Sequence, residues 1–319
     1  MKQPNLSRHK KRSPWKGGLG ILLLLIVAAL PLGSCGGSPS QKEGETLRDY
    51  HKDTFLLPDE DGYYNYCEVV VPEQEGNTPM PMVFIAHGYS GTINSGGAAE
   101  LCERLASHGI VALRIDFNKR TEPEKDASTI DEYTLESMIA DGTRAMDYVV
   151  ANYAIDTDRI GVYGRSMGGR VAMTMANQSR GGYDFKALFL VAPAGNSGAM
   201  IYYMGGQERW DEMKAQAATE GYATKQGLKL RPEWFQQFEA YDPSADGASF
   251  GDKPVYVVYN TLDHVVTAET SKECAAGYQN CQTMEVTTED GHGYEMSLED
   301  SELKEQIMEA IVAFFSENL

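Results

Sequence analysis

The run Arg159-Ile160-Gly161-Val162-Tyr163-Gly164-Arg165-Ser166-Met167-Gly168-Gly169 decides the fold. Its first half is apolar enough for a buried strand, and Met167 to Asn177 carries no proline and suits a helix. Between them stands Gly-x-Ser-x-Gly, a spacing suited to a sharp strand-to-helix turn. Such a turn pushes the Ser166 hydroxyl outward, and the glycines at 164 and 168 leave room for backbone beside it. The amides and dipole at the following helix start favour negative charge near the serine.

A serine hydroxyl is a weak nucleophile. It needs a base within hydrogen-bond reach, and that base needs an orienting carboxylate. Downstream, Val255 to Tyr259 reads as a strand that runs through Asn260-Thr261-Leu262 to Asp263. After a further strand at Met284–Val286, Glu289-Asp290-Gly291-His292-Gly293-Tyr294 offers a histidine in a glycine-flanked loop. Asp263 and His292 are 29 residues apart, enough for a helix and a strand to return the chain to the same sheet edge. His264 is a competing base, but neighbouring loop residues seldom point together, so His292 is preferred.

Upstream, Thr54–Leu57 and Tyr64–Val71 read as a hairpin closed by Pro58-Asp59-Glu60-Asp61-Gly62. Met82–Ala86 is a continuous apolar run, the mark of a strand buried on both faces. Helices are expected at Gly97–His108, Glu132–Asn152 and Leu303–Phe315, and strands at Ile110–Ile115 and Ala187–Val191. This alternation predicts an α/β fold, a mostly parallel eight-stranded sheet flanked by helices. The interval from Pro193 to Pro254 has no clear strand and holds many aromatics, Trp210, Trp234 and Phe235 among them. It reads as a helical cap insertion, about 196–253, whose aromatics are cap core more than substrate platform.

The first 34 residues form a separate unit. Lys2, Arg8, Lys10, Lys11, Arg12 and Lys16 precede a short apolar run that ends in small residues, the pattern of a secretory signal. Leu32-Gly33-Ser34-Cys35 resembles a bacterial lipobox, which implies cleavage before Cys35, lipid on its sulfur and a membrane-anchored, extracytoplasmic protein. Residues 35–53 read as a flexible tether and 54–319 as the catalytic domain. Loss of the leader's six basic residues takes the formal net charge from −18 to −24, which argues against a nucleic-acid partner. Of Cys67, Cys102, Cys274 and Cys281, the last two are close in sequence and are the expected disulfide pair, the alternative being four buried thiols.

These pieces together resemble the α/β-hydrolase esterases, in particular the cinnamoyl/feruloyl-esterase-like and dienelactone-hydrolase-like branches. The matching residues are His87-Gly88-Tyr89-Ser90-Gly91 after a strand, the Ser166 turn, the Asp263 loop and Gly291-His292-Gly293. Arg231-Pro232-Glu233-Trp234-Phe235 and Tyr241-Asp242-Pro243 add to it. The resemblance runs from about Phe55 to the C-terminus. It implies Ser166 as nucleophile, His292 as base, Asp263 as its orienter, and the backbone amides of Tyr89 and Met167 as oxyanion hole. Asp116-Phe117-Asn118-Lys119-Arg120 departs from the Asp-x-Arg-Gly-His-Gly of many relatives. His87 is expected to be structural, and Asp141 resembles a position on the long helix of many relatives, which a solvated helix face explains equally well.

The resemblance implies a carboxylic ester hydrolase acting on small-molecule or carbohydrate esters, feruloyl esters included. A serine peptidase resembling the prolyl-oligopeptidase catalytic domain shares the motif order, and a non-enzymatic binding protein on this fold ranks third. No metal or organic cofactor is called for.

Overall fold

The computed structural model describes residues 7–10, 47–122, 134–293 and 302–319. The apart-standing strand β1 (Ser7–Lys10) pairs antiparallel with β2 (Tyr50–Pro58). Next, β2 forms a hairpin with β3 (Tyr64–Pro72), and β3 lies antiparallel to β5 (Val111–Ile115). The remaining strands are parallel: β4 (Met80–Ala86), β6 (Ile155–Arg165), β7 (Ala187–Val191), β10 (Val255–Asn260) and β11 (Cys281–Val286). The order across the sheet is β1-β2-β3-β5-β4-β6-β7-β10-β11. Without β1 this is the expected eight-stranded, mostly parallel sheet.

The continuous apolar run in β4 follows from burial on both faces. Met82 and Phe84 pack on the side of α2 (Leu135–Asn152) and α3 (Met167–Asn177). Val83 and Ile85 pack on the side of α1 (Ala98–Ser107) and the closing helix. Period-two alternation thus places successive side chains in two separate cores. Helix α2 begins after Thr134, whose side chain accepts from Ser137 N–H while Ser137 reaches back to the Thr134 amide. The expected start at Glu132 falls outside the described residues. So do the leader and Cys35, apart from Ser7–Lys10.

Strand β2 starts at Tyr50, so residues 50–53 of the expected tether belong to the sheet. Tyr50 Oη donates to Glu103 at 2.7 Å and Lys52 pairs with the same carboxylate, which ties this edge to α1.

The insertion contains α4 (Ser197–Met204), α5 (Gln207–Glu220), β8 (Ala223–Lys225), β9 (Leu228–Leu230) and α6 (Pro232–Ala240). The β8–β9 hairpin corrects the strandless reading. Its two-residue turn holds Gln226 and Gly227 both at positive φ, the geometry that matches strand twist in tight hairpins. Trp210, Met213, Trp234 and Phe235 are buried and join the apolar cluster on one face of the sheet, whereas Tyr202 and Tyr222 are exposed. A helix, α7 (Ala268–Ala276), and then β11 fill the span between the Asp263 and His292 loops; α8 (Glu302–Asn318) closes the chain.

Two further expectations change. The four described cysteines are free. Cys274 points from α7 into the core toward the carbonyl of Pro193, while Cys281 opens β11 after a turn, so proximity in sequence does not become a bond. Asp141 is not on a solvated face. It is buried and ion-paired with Lys119 at 3.3 Å and Arg144 at 2.8 Å. Lys119 also pairs with Asp59 at 2.8 Å, so the network fastens the β2–β3 hairpin turn to α2.

Candidate active site

The loops after β4, β6, β10 and β11 all leave the sheet at its C-terminal edge. Ser166 sits on the turn after β6 at φ 55°, ψ −121°, a conformation that costs a non-glycine residue energy and is retained where the surroundings over-determine it. They do so here. Ser166 N–H donates to Val191 O at 3.0 Å, and Ser166 O accepts from Gly169 and Ala194 amides at 2.9 and 3.0 Å. A Cβ on Gly168 would stand 2.1 Å from Ala86 O, and one on Gly164 would stand 2.4 Å from Gly168 O. Both glycines are therefore required by close backbone approach.

Asp263 is buried and its carboxylate is occupied on both oxygens. Oδ1 accepts from the amides of Val265 at 2.8 Å and Val266 at 3.0 Å, and Oδ2 lies 2.7 Å from His292 Nδ1. This leaves Nε2 as the imidazole's working nitrogen. Ser166 and His292 line one cavity of about 90 Å³, together with Tyr89, Met167, Met200 and Tyr203. Gly88 lies against the serine, since a Cβ there would stand 3.2 Å from Ser166 Cβ. His264 is exposed, and its ring packs beside Gly291 instead of on the Asp263 carboxylate.

Three residues that the sequence reading passed over hold this arrangement. Asn260, fully buried at the end of β10, donates to Thr288 O and Gly291 O at 2.9 Å each and accepts from Leu262 and Thr288 amides at 3.1 Å each. Its one amide group therefore joins the aspartate loop to the histidine loop. Arg165 donates to His292 O at 2.6 Å, joining the serine turn to the same loop. Gln226, at the cap hairpin tip, accepts from Ser90 Oγ at 3.0 Å and Tyr203 Oη at 2.7 Å. Beside it, Tyr89 Oη donates to Lys225 O at 3.0 Å. The Tyr89 ring meets Tyr203 and Trp234 edge-on at 5.6 and 5.7 Å. The signal for Gln226 was the Gln-Gly turn between two alternating triplets; no local signal marks Asn260 or Arg165.

His87 is buried and structural. Its Nδ1 lies 2.8 Å from Gly88 O and its Nε2 accepts from Phe117 N–H at 3.1 Å, which fixes a neutral ring protonated at Nδ1. Burial pushes its pKa down to about 4. Asp116, 3.9 Å from His87 Nε2, is pushed up to about 6 by burial, against the pull of Arg120.

The family described as PETase, PET hydrolase-like, matches residues 50–200. Over 121 residues the chain is 36% identical to Cutinase 2 of Thermobifida cellulosilytica, covering 38% of this chain and 42% of that one. It is 35% identical over the same length to Cutinase est2 of Thermobifida alba, covering 38% and 36%. The chain thus spans about two fifths of the length of the curated relatives it matches. Among solved structures, Est1E from Butyrivibrio proteoclasticus superposes with a TM-score of 0.60 at 21% identity, covering 83% of this chain and 98% of that one. An acetyl xylan esterase from Paenibacillus sp. R4 gives 0.59 at 19% identity, covering 88% and 87%. With the sheet order and the C-terminal-edge site, these likenesses establish that the chain has the α/β-hydrolase fold.

Proposed function

We propose that the protein is a serine hydrolase that cleaves carboxylic esters through an acyl-enzyme on Ser166. The observation that carries this reading is the 2.7 Å contact of His292 Nδ1 with the buried Asp263 carboxylate, in a loop that shares a cavity with the strained Ser166 turn. His292 Nε2 takes the Ser166 hydroxyl proton as Oγ attacks the ester carbonyl. The same proton passes to the departing alkoxide as the C–O bond breaks, leaving the acyl ester on Ser166. Water then attacks that ester, with His292 as base, and the acid leaves. Asp263 holds the imidazole tautomer and stabilises the imidazolium. The amides of Tyr89 and Met167 receive the oxyanion, each contributing a few kcal/mol, about 3, at the transition state.

The likeness to cutinases and esterases supports an ester over an amide. The same chemistry covers carbohydrate and feruloyl esters, and one solved neighbour is Est1E with ferulic acid bound; the chemistry itself sets no acyl size. The leader supports export and anchoring through lipid on Cys35. Cleavage there would also remove Ser7–Lys10 and leave β2, with His51, Lys52 and Asp53, at the sheet edge. Among the described residues no helix is long and apolar enough to cross a membrane.

The test is labelling by a fluorophosphonate probe together with turnover of a short-acyl ester panel. Wild type should be labelled and active. Ser166→Ala should be unlabelled and slower by roughly 10⁴-fold or more. An unlabelled, inactive wild type would sink the proposal. For the anchor, metabolic labelling with an alkynyl fatty acid should disappear in Cys35→Ala; persistence of the label would refute that site.

A further inference from the structure

Beside the 90 Å³ cavity runs a wider groove of about 460 Å³, lined by Tyr202, Tyr203, Gly205, Gly206, His264 and Val265. The two spaces share Tyr203 and Val265, so they lie side by side. Resting on the ester-hydrolase reading above, we propose that they divide the substrate: the small cavity takes a short aliphatic acyl group, and the groove takes a bulky, ring-bearing alcohol.

The sides are assigned by chemistry. In acylation, His292 must reach the oxygen that leaves, so the alcohol lies on the histidine side of the tetrahedral centre. The groove is on that side. Its His264 packs against Gly291, close enough that a Cβ on Gly291 would stand 2.9 Å from His264 Cε1. The acyl carbon is bonded to Ser166, so the acyl chain must use the small cavity. Away from the groove its walls are Ala194, Ala199 and Met200, while Tyr203, Val265 and Val266 line it on the groove side. A dry cavity that accepts benzene is about 150 Å³. The space here is smaller, so it favours acetyl to butyryl groups over an acyl group carrying an aromatic ring.

The groove is built for a flat apolar face. Tyr202 is 55% exposed on α4, and Gly205 and Gly206 follow the helix at φ 114° and 95°. With no side chains at these two positions, the groove floor is bare backbone beside two tyrosines. Rings with apolar faces pack against aromatic side chains in this way, whether the ring is a sugar, a cycloalkane or an arene.

The experiment compares kcat/KM within matched esters. With cyclohexylmethanol as the common alcohol, acetate should exceed 3-phenylpropanoate and octanoate by about tenfold or more, the penalty of overfilling a packed site. With acetate as the common acyl group, the cyclohexylmethyl ester should exceed the ethyl ester by about tenfold, from burial of the ring. Tyr202→Ala should shrink that second ratio, mainly through KM. Wild type that is labelled at Ser166 yet prefers the larger acyl groups, or keeps its alcohol ratio in Tyr202→Ala, overturns the division while the ester-hydrolase reading stands. Absence of both labelling and turnover removes that reading and the division with it.

Discussion

Arg165 Nη2 donates to the backbone carbonyl of His292 at 2.6 Å. The residue that precedes the nucleophile thus holds the loop that carries the base. A hydrogen bond from a charged donor contributes about 1.5–3 kcal/mol where both groups are sheltered. Part of that becomes catalytic if a loose loop leaves His292 misplaced. Arg165→Met should therefore lower kcat by roughly tenfold with KM changing less, and Arg165→Lys should recover part of the loss. The loss should also shrink in an Asp263→Asn background, because both residues serve the placement of one imidazole. Steady-state kinetics of wild type, the three single variants and the Arg165→Met/Asp263→Asn double variant decide it. Equal losses in both backgrounds would show that Arg165 does not act through His292.

Gln226 reaches the other side of the same centre. By accepting from Ser90 and Tyr203 it fastens the cap hairpin to the loop whose Tyr89 amide is assigned to the oxyanion. Complete loss of one such donor costs about 10²–10³-fold in kcat. A loosened loop should lose less, so Gln226→Ala is expected to lower kcat by roughly tenfold. Gln226→Glu keeps both acceptor bonds and should stay near wild type. If the two variants behave alike in kcat, the hydrogen bonds are not what holds the loop.

What could be read from the chain and what could not divide along one line. The Ser166 turn was legible because its requirement is local: Gly164 and Gly168 must be glycine for backbone to pass within touching distance. Strands β4 and β7 were legible because burial on both faces leaves an unbroken apolar run. Asn260 was not, since its partners at Thr288 and Gly291 come from another loop and nothing near residue 260 announces them. Between its two readings Asp141 stayed undecided for the same reason. Its burial follows from Lys119 and Asn65, which come from other segments of the chain. The Cys274–Cys281 pair failed because sequence distance carries no direction, and Cys274 faces the core.

The His87–Asp116 pair makes a pH prediction whose sign can be worked through. His87 is held down near 4 when folded and returns to its ordinary value of 6.5 when unfolded. As pH falls through that window the unfolded chain binds the proton first, so His87 removes stability on acidification. Asp116 is held up near 6 when folded and returns to 3.8 when unfolded. Over that window the folded protein binds the proton first, so Asp116 adds stability on acidification. Between about pH 4 and 6 the two contributions oppose each other, each with a slope of about 1.4 kcal/mol per pH unit. Asp116→Asn removes one of them. Its stability should therefore rise with pH across this window more steeply than wild type, by about 1.4 kcal/mol per unit. Urea unfolding at pH 4.5, 5.0 and 5.5 measures both slopes; parallel curves would refute the opposition.

Arg170 couples the serine helix to the cap. It is fully buried on α3 and donates to Gly195 O at 3.1 Å, to Phe238 O at 3.0 Å and to Tyr241 O, with its guanidinium 4.5 Å from the Phe238 ring centroid. The latter two carbonyls belong to the C-terminal end of α6, where a helix leaves acceptors without partners. Burial pulls the Arg170 pKa down to about 10, so the group stays charged and its donors stay committed. Arg170→Met preserves bulk but takes the charged donor from the Gly195 and Tyr241 carbonyls, each at about 1–3 kcal/mol, while Phe238 O keeps its bond from Ser197 Oγ at 2.7 Å. The variant should lose roughly 3 kcal/mol or more of stability. Two of the three tryptophans, Trp210 and Trp234, lie in the cap, and the third, Trp15, lies in the leader. In protein freed of the leader, fluorescence therefore reports the cap while far-UV circular dichroism reports the whole sheet and its helices. In Arg170→Met the fluorescence transition should precede the dichroism transition, because the lost bonds are those between cap and hydrolase core. Coincident transitions with less than about 1 kcal/mol lost would show that Arg170 is not what holds the cap on the hydrolase core.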